Sequence, residues 1–243
     1  MSKVIAVWGA PNSGKTTFAT KLARTIYDEY QATVIVVYTD YETPALPVIF
    51  PNYKKEDLCS IGVALSKTDV DRYEVVKQMV TIKDKQNFAF LGFTDGENRY
   101  TYPAFDTGKV RTFYSILAAL ADYVIIDCTS SLDNELSKVA VCEADEVIRL
   151  SAPTLKSVSY LSSQLPLYAD PVFRLEKHIQ GICVTDADLY MPIEDAKAQL
   201  QDVRFTIPYC ILAKQQMLDG TLYKAVNDKK FNEKFKAIVE KVV

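Results

Sequence analysis

Short runs of β-branched and aromatic residues alternate along the chain with stretches of helical period. Seven runs are predicted strands: residues 3–8, 33–38, 88–93, 123–127, 146–150, 181–185 and 203–207. Between them, apolar residues recur on one helix face, as with Phe18, Leu22 and Ile26. Such alternation is typical of a parallel sheet covered by helices on both faces. The pattern predicts an α/β fold with a doubly wound, mainly parallel sheet of about seven strands.

Two stretches lack this alternation. Residues 43–67 carry three prolines, and residues 94–107 are polar and aromatic. Both are predicted to be long connections, either solvated insertions or surfaces for a partner. No repeat or linker rich in Ser, Gly or Pro interrupts the chain, so residues 1–243 are predicted to form a single domain. The phosphate-binding motif described below predicts that this domain binds a nucleotide.

Composition excludes several classes of protein. The chain has 243 residues, 49% of them hydrophobic, and 28 basic against 31 acidic side chains give a net charge of −3. Apolar runs fall short of the roughly 18 residues of a membrane span, and no secretory signal precedes the first predicted strand. Five scattered cysteines favour single thiols over disulfides or zinc. We expect a cytoplasmic protein whose overall charge disfavours nucleic acid.

A phosphate-binding motif follows the first predicted strand. It matches G-x-x-x-x-G-K-[ST] and comprises Gly9, Ala10, Pro11, Asn12, Ser13, Gly14, Lys15, Thr16 and Thr17. Between a strand and a helix, its N–H groups can surround phosphate oxygens at the positive end of the helix. Lys15 is predicted to reach the β- and γ-phosphates, Thr16 to bind Mg²⁺ and Thr17 to contact the α-phosphate. The motif therefore predicts a P-loop NTPase that binds ATP or ADP with Mg²⁺.

Two aspartates complete this predicted site. Asp127 ends an apolar strand and is expected to hold Mg²⁺ opposite Thr16. Asp40 follows the second strand and is expected to orient the attacking water, although a plain loop aspartate is nearly as probable an interpretation. Lys15, Asp40 and Asp127 are thus the predicted catalytic residues.

Competing motifs fail. The segment from Ser66 to Asp69 resembles the guanine-binding motif [NT]-K-x-D of GTPases, but it precedes the Asp127 strand instead of following it. In addition, the residues after Asp127 lack the glycine of the D-x-x-G motif that senses the γ-phosphate in GTPases. Adenine is therefore favoured. His178 is the only histidine, so a histidine-based triad or metal cluster is disfavoured, and a surface or core residue is expected.

The order and spacing of these pieces resemble the ParA/MinD superfamily of P-loop ATPases. Four pieces carry the resemblance: the loop at 9–17, the strand ending at Asp40, the segment 122–131 around Asp127, and the later segments 144–148 and 206–209. The resemblance implies a dimerising ATPase that positions or partitions a cellular machine.

Departures from the family pattern point to an atypical member. Ala10 stands where the family has a signature lysine that reaches the partner subunit's phosphate, and Tyr38 replaces an aspartate of switch I. Because a cation supplied in trans can accelerate phosphoryl transfer by orders of magnitude, we expect tight ATP binding with weak hydrolysis. In this respect the chain resembles atypical relatives of the CpaE/TadZ type, which also depart from the standard loop and localise machinery at a cell pole.

The predicted last helix, Lys229 to Val242, is amphipathic and basic, and Asp228 is its predicted N-terminal cap. Its apolar positions, from Phe231 to Val242, favour packing on the sheet, and peripheral contact of residues 229–243 with the inner membrane face is the alternative. DNA binding is a weaker expectation, because residues 211–243 have a surplus of only three lysines over acids.

Three functional hypotheses remain open. The first is an ATP-dependent switch or scaffold, an ATP-dependent homodimer despite Ala10, that acts on protein cargo: a pilus, secretion, conjugation or DNA-segregation machine. The second is a small-molecule phosphotransferase or ATP-dependent ligase on the same fold. The third is a scaffold whose ATP is never hydrolysed.

Overall fold

A twisted parallel sheet forms the centre of the protein. The computed structural model describes residues 2–54, 57–188 and 191–243. Within those ranges the strands are β1 (Lys3–Gly9), β2 (Val34–Tyr38), β3 (Val80–Ile82), β4 (Lys85–Leu91), β5 (Tyr123–Asp127), β6 (Glu146–Ser151), β7 (Ile179–Cys183) and β8 (Val203–Ile207). These eight described strands form one sheet in the order β3-β4-β2-β5-β1-β6-β7-β8, with only β3 antiparallel to its neighbour.

Helices cover both faces of this sheet. In the described ranges they are α1 (Lys15–Tyr30), α2 (Leu46–Ile49), α3 (Ile61–Leu65), α4 (Arg72–Lys77), α5 (Thr107–Leu120), α6 (Glu135–Glu143), α7 (Leu155–Gln164), α8 (Ile193–Leu200), α9 (Ile211–Leu218) and α10 (Lys229–Val242). Short 3₁₀ turns follow α7 at Leu165–Tyr168, Pro171–Phe173 and Leu175–Lys177. Across the same ranges, no helix combines the length and apolar character needed to cross a bilayer.

The predicted α/β class and mainly parallel sheet are confirmed, with one strand more than predicted. Strand β3 has three residues and one exposed side chain, Thr81, so its hydrophobic pattern is too short to stand out. The predicted runs 88–93 and 181–185 lie about two residues too far along the chain, since β4 ends at Leu91 and β7 at Cys183.

Alternating side chains of β1 supply two separate cores. Ile5 and Val7 pack with α1 and α10 on one face, while Ala6 and Trp8 pack with α5 and α6 on the other. All four are fully buried. Burial on both faces explains why these strands are continuous apolar runs instead of alternating ones.

The first predicted long connection contains secondary structure. Segment 43–67 includes α2 and α3, of which α3 is capped by Ser60, whose Oγ accepts a hydrogen bond from the Gly62 N–H at 3.1 Å. Phe50, just after α2, is buried and its ring lies 5.0 Å from that of Phe90. These helices were not predicted from the sequence because each has only four or five residues, too few to show a helical period among the prolines.

Helix α10 is part of the first core. The predicted cap is present, since Asp228 Oδ1 accepts a hydrogen bond from the Phe231 N–H at 3.0 Å. Its apolar side chains are buried: Phe231, Phe235, Ile238, Val239 and Val242. The membrane contact considered for residues 229–243 would need this same face, which already packs on the sheet and α1.

His178 is a core residue. Its Nε2 lies 2.8 Å from the Phe173 carbonyl oxygen, and its ring meets Trp8 edge-on at 6.0 Å. Burial, together with the charge of Arg149, lowers the pKa of His178 to about 4. The imidazole is therefore neutral in the folded protein at neutral pH.

We expect Phe235→Ala to lower the free energy of unfolding by about 3–5 kcal/mol, because it removes a buried ring that packs against Phe18 and Phe231. Lys234→Ala is the matched control, since Lys234 is exposed on the same helix and its loss should change stability by less than about 0.5 kcal/mol. Urea denaturation measures both. Equal effects would contradict the packing of α10.

We expect His178 to make the protein acid-sensitive. Its pKa is about 4 in the folded state and about 6.5 in an unfolded chain, so the unfolded state alone takes up the proton between these pH values. Stability should therefore fall by on the order of 3 kcal/mol as the pH drops from 6.5 to 4. In His178→Gln this part of the loss should disappear, as measured by urea unfolding across that range; parallel pH profiles would contradict the assignment.

Candidate functional site

The predicted P-loop lies at the point where the strand order reverses. Strand β1 lies between β5 and β6, and the chain leaves β1 toward β2 on one side but later continues to β6 on the other. Ligands of doubly wound sheets bind beyond the carboxyl ends of the strands at such a switch point. A cavity of about 410 Å³ opens there, and residues 11–17, Asp40 and Asp127 all line it.

Gly9 allows the loop to turn directly off β1 and lie against β6. Its φ of 147° belongs to glycine, and a Cβ there would lie 2.0 Å from the Leu150 carbonyl oxygen. The next N–H, of Ala10, donates to that same oxygen at 3.0 Å. Gly9 and Ala10 are thus buried below the cavity, and the rest of the loop forms its floor.

Gly14 completes the loop and begins α1. It is the N-cap with φ of 78°, in the left-handed region, and it has no side chain to cap the helix. The first turn, Lys15 to Thr17, therefore presents its N–H groups and the positive end of the helix dipole toward the cavity. This is the arrangement that binds anions at helix N-termini.

Lys15 crosses the cavity and contacts the loop after β5. Its Nζ donates to the Ala10 carbonyl oxygen at 2.9 Å and to Ser130 Oγ at 2.7 Å. Burial lowers the pKa of Lys15, and the carboxylates of Asp127 and Asp40 counteract this effect. Both predicted carboxylates are therefore close enough to influence this ammonium group.

Asp127 and Thr16 form a direct pair. Thr16 Oγ1 donates to Asp127 Oδ2 at 2.6 Å, while Asp127 Oδ1 is buried and has no hydrogen-bond partner within the described chain. Burial raises the pKa of Asp127 to about 7. A buried carboxylate oxygen without a partner is costly, and a cation beside it would satisfy it and lower this pKa.

The donor set fits Mg²⁺ better than a metal held by protein alone. No group of three or more His, Cys, Asp or Glu side chains that could hold an ion occurs in the ranges 2–54, 57–188 and 191–243. Mg²⁺ is commonly held by one or two carboxylates with water and substrate phosphates. Asp127 and Thr16 match that pattern, with the phosphates supplying further oxygens.

Ser130 is a contact of the site that sequence reasoning missed. Its carbonyl oxygen accepts hydrogen bonds from Trp8 Nε1 at 2.9 Å and from the Tyr160 hydroxyl at 2.6 Å, so its backbone is fixed. The segment appeared in the sequence only as a departure from the family's T-P-P, which gave no reason to select this serine. Lys15 and Ser130 are 115 positions apart, and only the fold brings them together.

Asp40 lies across the cavity at the end of β2. Its Oδ1 accepts hydrogen bonds from the N–H groups of Glu42 and Thr43 at 2.8 and 2.9 Å. Preceding it, Thr39 donates from N and Oγ1 to the Asp127 carbonyl oxygen at 3.1 and 2.9 Å. The loops after β2 and β5 are thus joined directly behind the two carboxylates.

Tyr38, which replaces a family aspartate, is a buried structural residue. Its hydroxyl forms a hydrogen bond of 2.8 Å with Thr20 of α1, and burial raises its pKa. The position therefore contributes to packing between β2 and α1 and does not provide a carboxylate.

A second, largely apolar cavity adjoins the P-loop. It measures about 360 Å³ and shares Asn12, Gly14 and Thr17 with the first. Its other walls include Phe18 of α1 and the segment around Pro208 and Tyr209, which follows β8. A flat apolar group attached to a phosphate in the first cavity would meet this surface.

Solved structures share this arrangement of strands and helices. A MinD septum site-determining protein with Mg-ADP from Pyrococcus horikoshii aligns with a TM-score of 0.72, 17% identity and coverage of 100% of this chain and 96% of its own. The chain has the fold of the MinD and ParA ATPases. A ParA family ATPase from Chlorobium tepidum aligns with a TM-score of 0.76, 16% identity and 98% coverage of both chains.

Similarity extends to a third branch of this fold. An ATP complex of a McdA variant from Cyanothece aligns with a TM-score of 0.73, 16% identity and coverage of 98% of this chain and 95% of its own. No protein-family model matches the sequence, and no curated protein matches it either. The predicted resemblance to MinD and ParA proteins is therefore confirmed at the level of the fold.

We expect Gly9→Ala to disrupt the loop, because the new Cβ would collide with the backbone of Leu150. The cost should be several kcal/mol, more than the roughly 1–3 kcal/mol of an unfavourable backbone conformation alone. Gly96→Ala is the matched control: Gly96 also has positive φ, at 84°, but nothing lies within 4 Å of its Cβ position. Thermal and urea unfolding of both variants tests this, and similar losses would contradict the close approach of loop and β6.

Proposed function

We propose that the protein is an Mg²⁺-dependent, ATP-binding P-loop ATPase of ParA/MinD type that acts as a nucleotide-dependent switch or scaffold. The observation that carries this proposal is the buried Asp127 oxygen without a partner, beside the Thr16 hydroxyl in the cavity floored by the P-loop. The solved MinD structure with Mg-ADP and the McdA complex with ATP support it by their fold.

Within this proposal the chain's residues divide the work of binding. The N–H groups of residues 14–17 and the Lys15 ammonium bind phosphate oxygens, and Lys15 exchanges Ser130 for a phosphate as it does so. Asp127 and Thr16 would hold Mg²⁺, which when bound would neutralise charge on the phosphates. Asp40 orients the attacking water from the opposite wall, where its Oδ1 is already fixed by two N–H groups.

The apolar cavity is proposed to take the base. Its Pro208 and Tyr209 walls suit packing against a flat ring, and shared P-loop residues place it within reach of the phosphate site. Adenine is the expected base because the guanine motif is misplaced in the sequence.

Ala10 supports slow turnover. Its side chain is fully buried beside β6, so the position supplies no cation to a partner subunit. Phosphoryl transfer without such a cation is slower by orders of magnitude. The same observation favours a second candidate, a scaffold that keeps its ATP unhydrolysed.

The cellular role is proposed from the fold relatives. In this role the protein would form an ATP-dependent homodimer at the cytoplasmic membrane face or cell pole. It would act on a protein cargo, such as a pilus, secretion, conjugation or DNA-segregation machine, through a nucleotide-controlled change in the loops after Asp40 and Asp127. The link between Thr39 and the Asp127 carbonyl oxygen supports such a coupled change, because a shift of either loop is transmitted to the other.

We expect Lys15→Ala to weaken ATP binding by about 100-fold or more, because a half-buried cation that lines the phosphate cavity is lost. Lys77→Ala, on the exposed face of α4, is the matched control and should bind normally. Calorimetric titration with Mg-ATP measures both affinities. Unchanged affinity in Lys15→Ala, in a variant shown to be folded, would refute the site.

Solution mass separates the two candidates. Light scattering without nucleotide, with ADP and with Mg-ATP, and phosphate release on the same samples, should give a dimer only with ATP and slow release if the protein is a switch. Constant mass with retained ATP and no release would instead support the scaffold.

A further inference from the structure

A separate cavity with aromatic walls lies at the carboxyl ends of β4, β2 and β5. It measures about 260 Å³, and its walls include the rings of Tyr41, Phe93, Tyr102 and Phe105. Phe93 is fully buried; the Tyr41 ring meets it edge-on at 5.7 Å and the Phe105 ring stacks on it at 6.2 Å. We call this the aromatic cavity. The phosphate and base sites proposed above do not use it.

The walls of the aromatic cavity are held in place by the surrounding structure. The Glu97 carboxylate accepts hydrogen bonds from the Tyr102 hydroxyl, from Ser60 Oγ at 2.7 Å and from the Thr94 N–H at 2.7 Å. Tyr102 also packs so closely on Gly62 that a Cβ there would lie 2.1 Å from its ring. The second predicted connection, 94–107, is therefore an ordered wall and is suited to bind a ligand without prior folding.

The charges of the lining favour a cation. Asp133 and Glu135, from the segment after β5, contribute two carboxylates, against one guanidinium from Arg99. The Arg99 guanidinium lies 4.7 Å from the Tyr100 ring centre and donates to the Tyr100 hydroxyl at 2.6 Å. Glu135 also lies 3.9 Å from Lys138 Nζ, so Asp133 is the main acidic contact that the lining offers beside its aromatic rings.

We propose that the aromatic cavity binds the guanidinium or ammonium group of an arginine or lysine side chain presented by a partner protein. Aromatic rings attract such cations at separations of about 6 Å, and Asp133 adds charge complementarity. The volume is below the roughly 300–1,000 Å³ of sites for whole small molecules, so it suits one side chain of a longer segment. Tyr100, 79% exposed beside Arg99, offers that segment an additional contact.

The test uses the full-length, ¹⁵N-labelled protein without nucleotide, so that its outcome is independent of the proposed ATPase. Titration with the blocked peptide acetyl-Gly-Arg-Gly-amide should give saturable shifts at the amides of Phe93, Asn98 and Tyr102. The matched peptide with citrulline, which has the same shape without charge, should bind less tightly. No saturable shift at about 20 mM, where a site with a dissociation constant near 1 mM is filled, would overturn the proposal.

Variants of the residues that line the aromatic cavity should change the affinity for the arginine peptide in opposite directions. Asp133→Asn and Phe105→Leu should weaken binding of the arginine peptide by roughly 2- to 30-fold, whereas Arg99→Gln should strengthen it. Each variant is first checked for an unchanged ¹⁵N spectrum away from the cavity. Weaker binding in Arg99→Gln would show that the cavity takes an anion. Tighter binding of free arginine than of the blocked peptide would reassign it to an amino acid, and either result overturns the proposal.

Discussion

The contact between the first loop and β6 determines the geometry of the whole site. The Ala10 N–H donates to the Leu150 carbonyl oxygen, and this approach is possible only because Gly9 has no side chain. From that fixed start the loop can form the floor of the cavity and end at the N-terminus of α1. Without it, the helix dipole, Lys15 and Thr16 would not face Asp127 at the carboxyl end of β5.

Buried polar groups give the site its chemical character. Asp127 is buried and Lys15 half-buried, and burial shifts the pKa of each toward the neutral form. Their hydrogen bonds to Ser130 and Thr16 compensate only part of that cost. A polyanion accompanied by a divalent cation would supply the opposite charge to each of them at once, which supports the proposal of a metal-bound nucleotide.

Sequence reasoning succeeded where structure depends on local pattern. The strands through the core, the P-loop and the cap at Asp228 follow from runs and spacings within a few residues. It failed where a contact joins residues far apart in the chain, and where an element is too short to show a periodic pattern. Ser130 becomes important only after β5 is placed beside β1, and α2, α3 and β3 are too short to generate a periodic signal. The aromatic cavity likewise requires three separate loops to converge.

The clamp on Ser130 has a consequence for how the loop after β5 responds to a ligand. Trp8 and Tyr160 hold its carbonyl oxygen from two sides, while its hydroxyl alone is engaged by Lys15. When Lys15 turns to another acceptor, the serine side chain can rotate, but the backbone is held in place. A change of acceptor at Lys15 can therefore reach the Ser130 side chain while its backbone stays anchored, and the chain continues from there to Asp133, where the aromatic cavity begins.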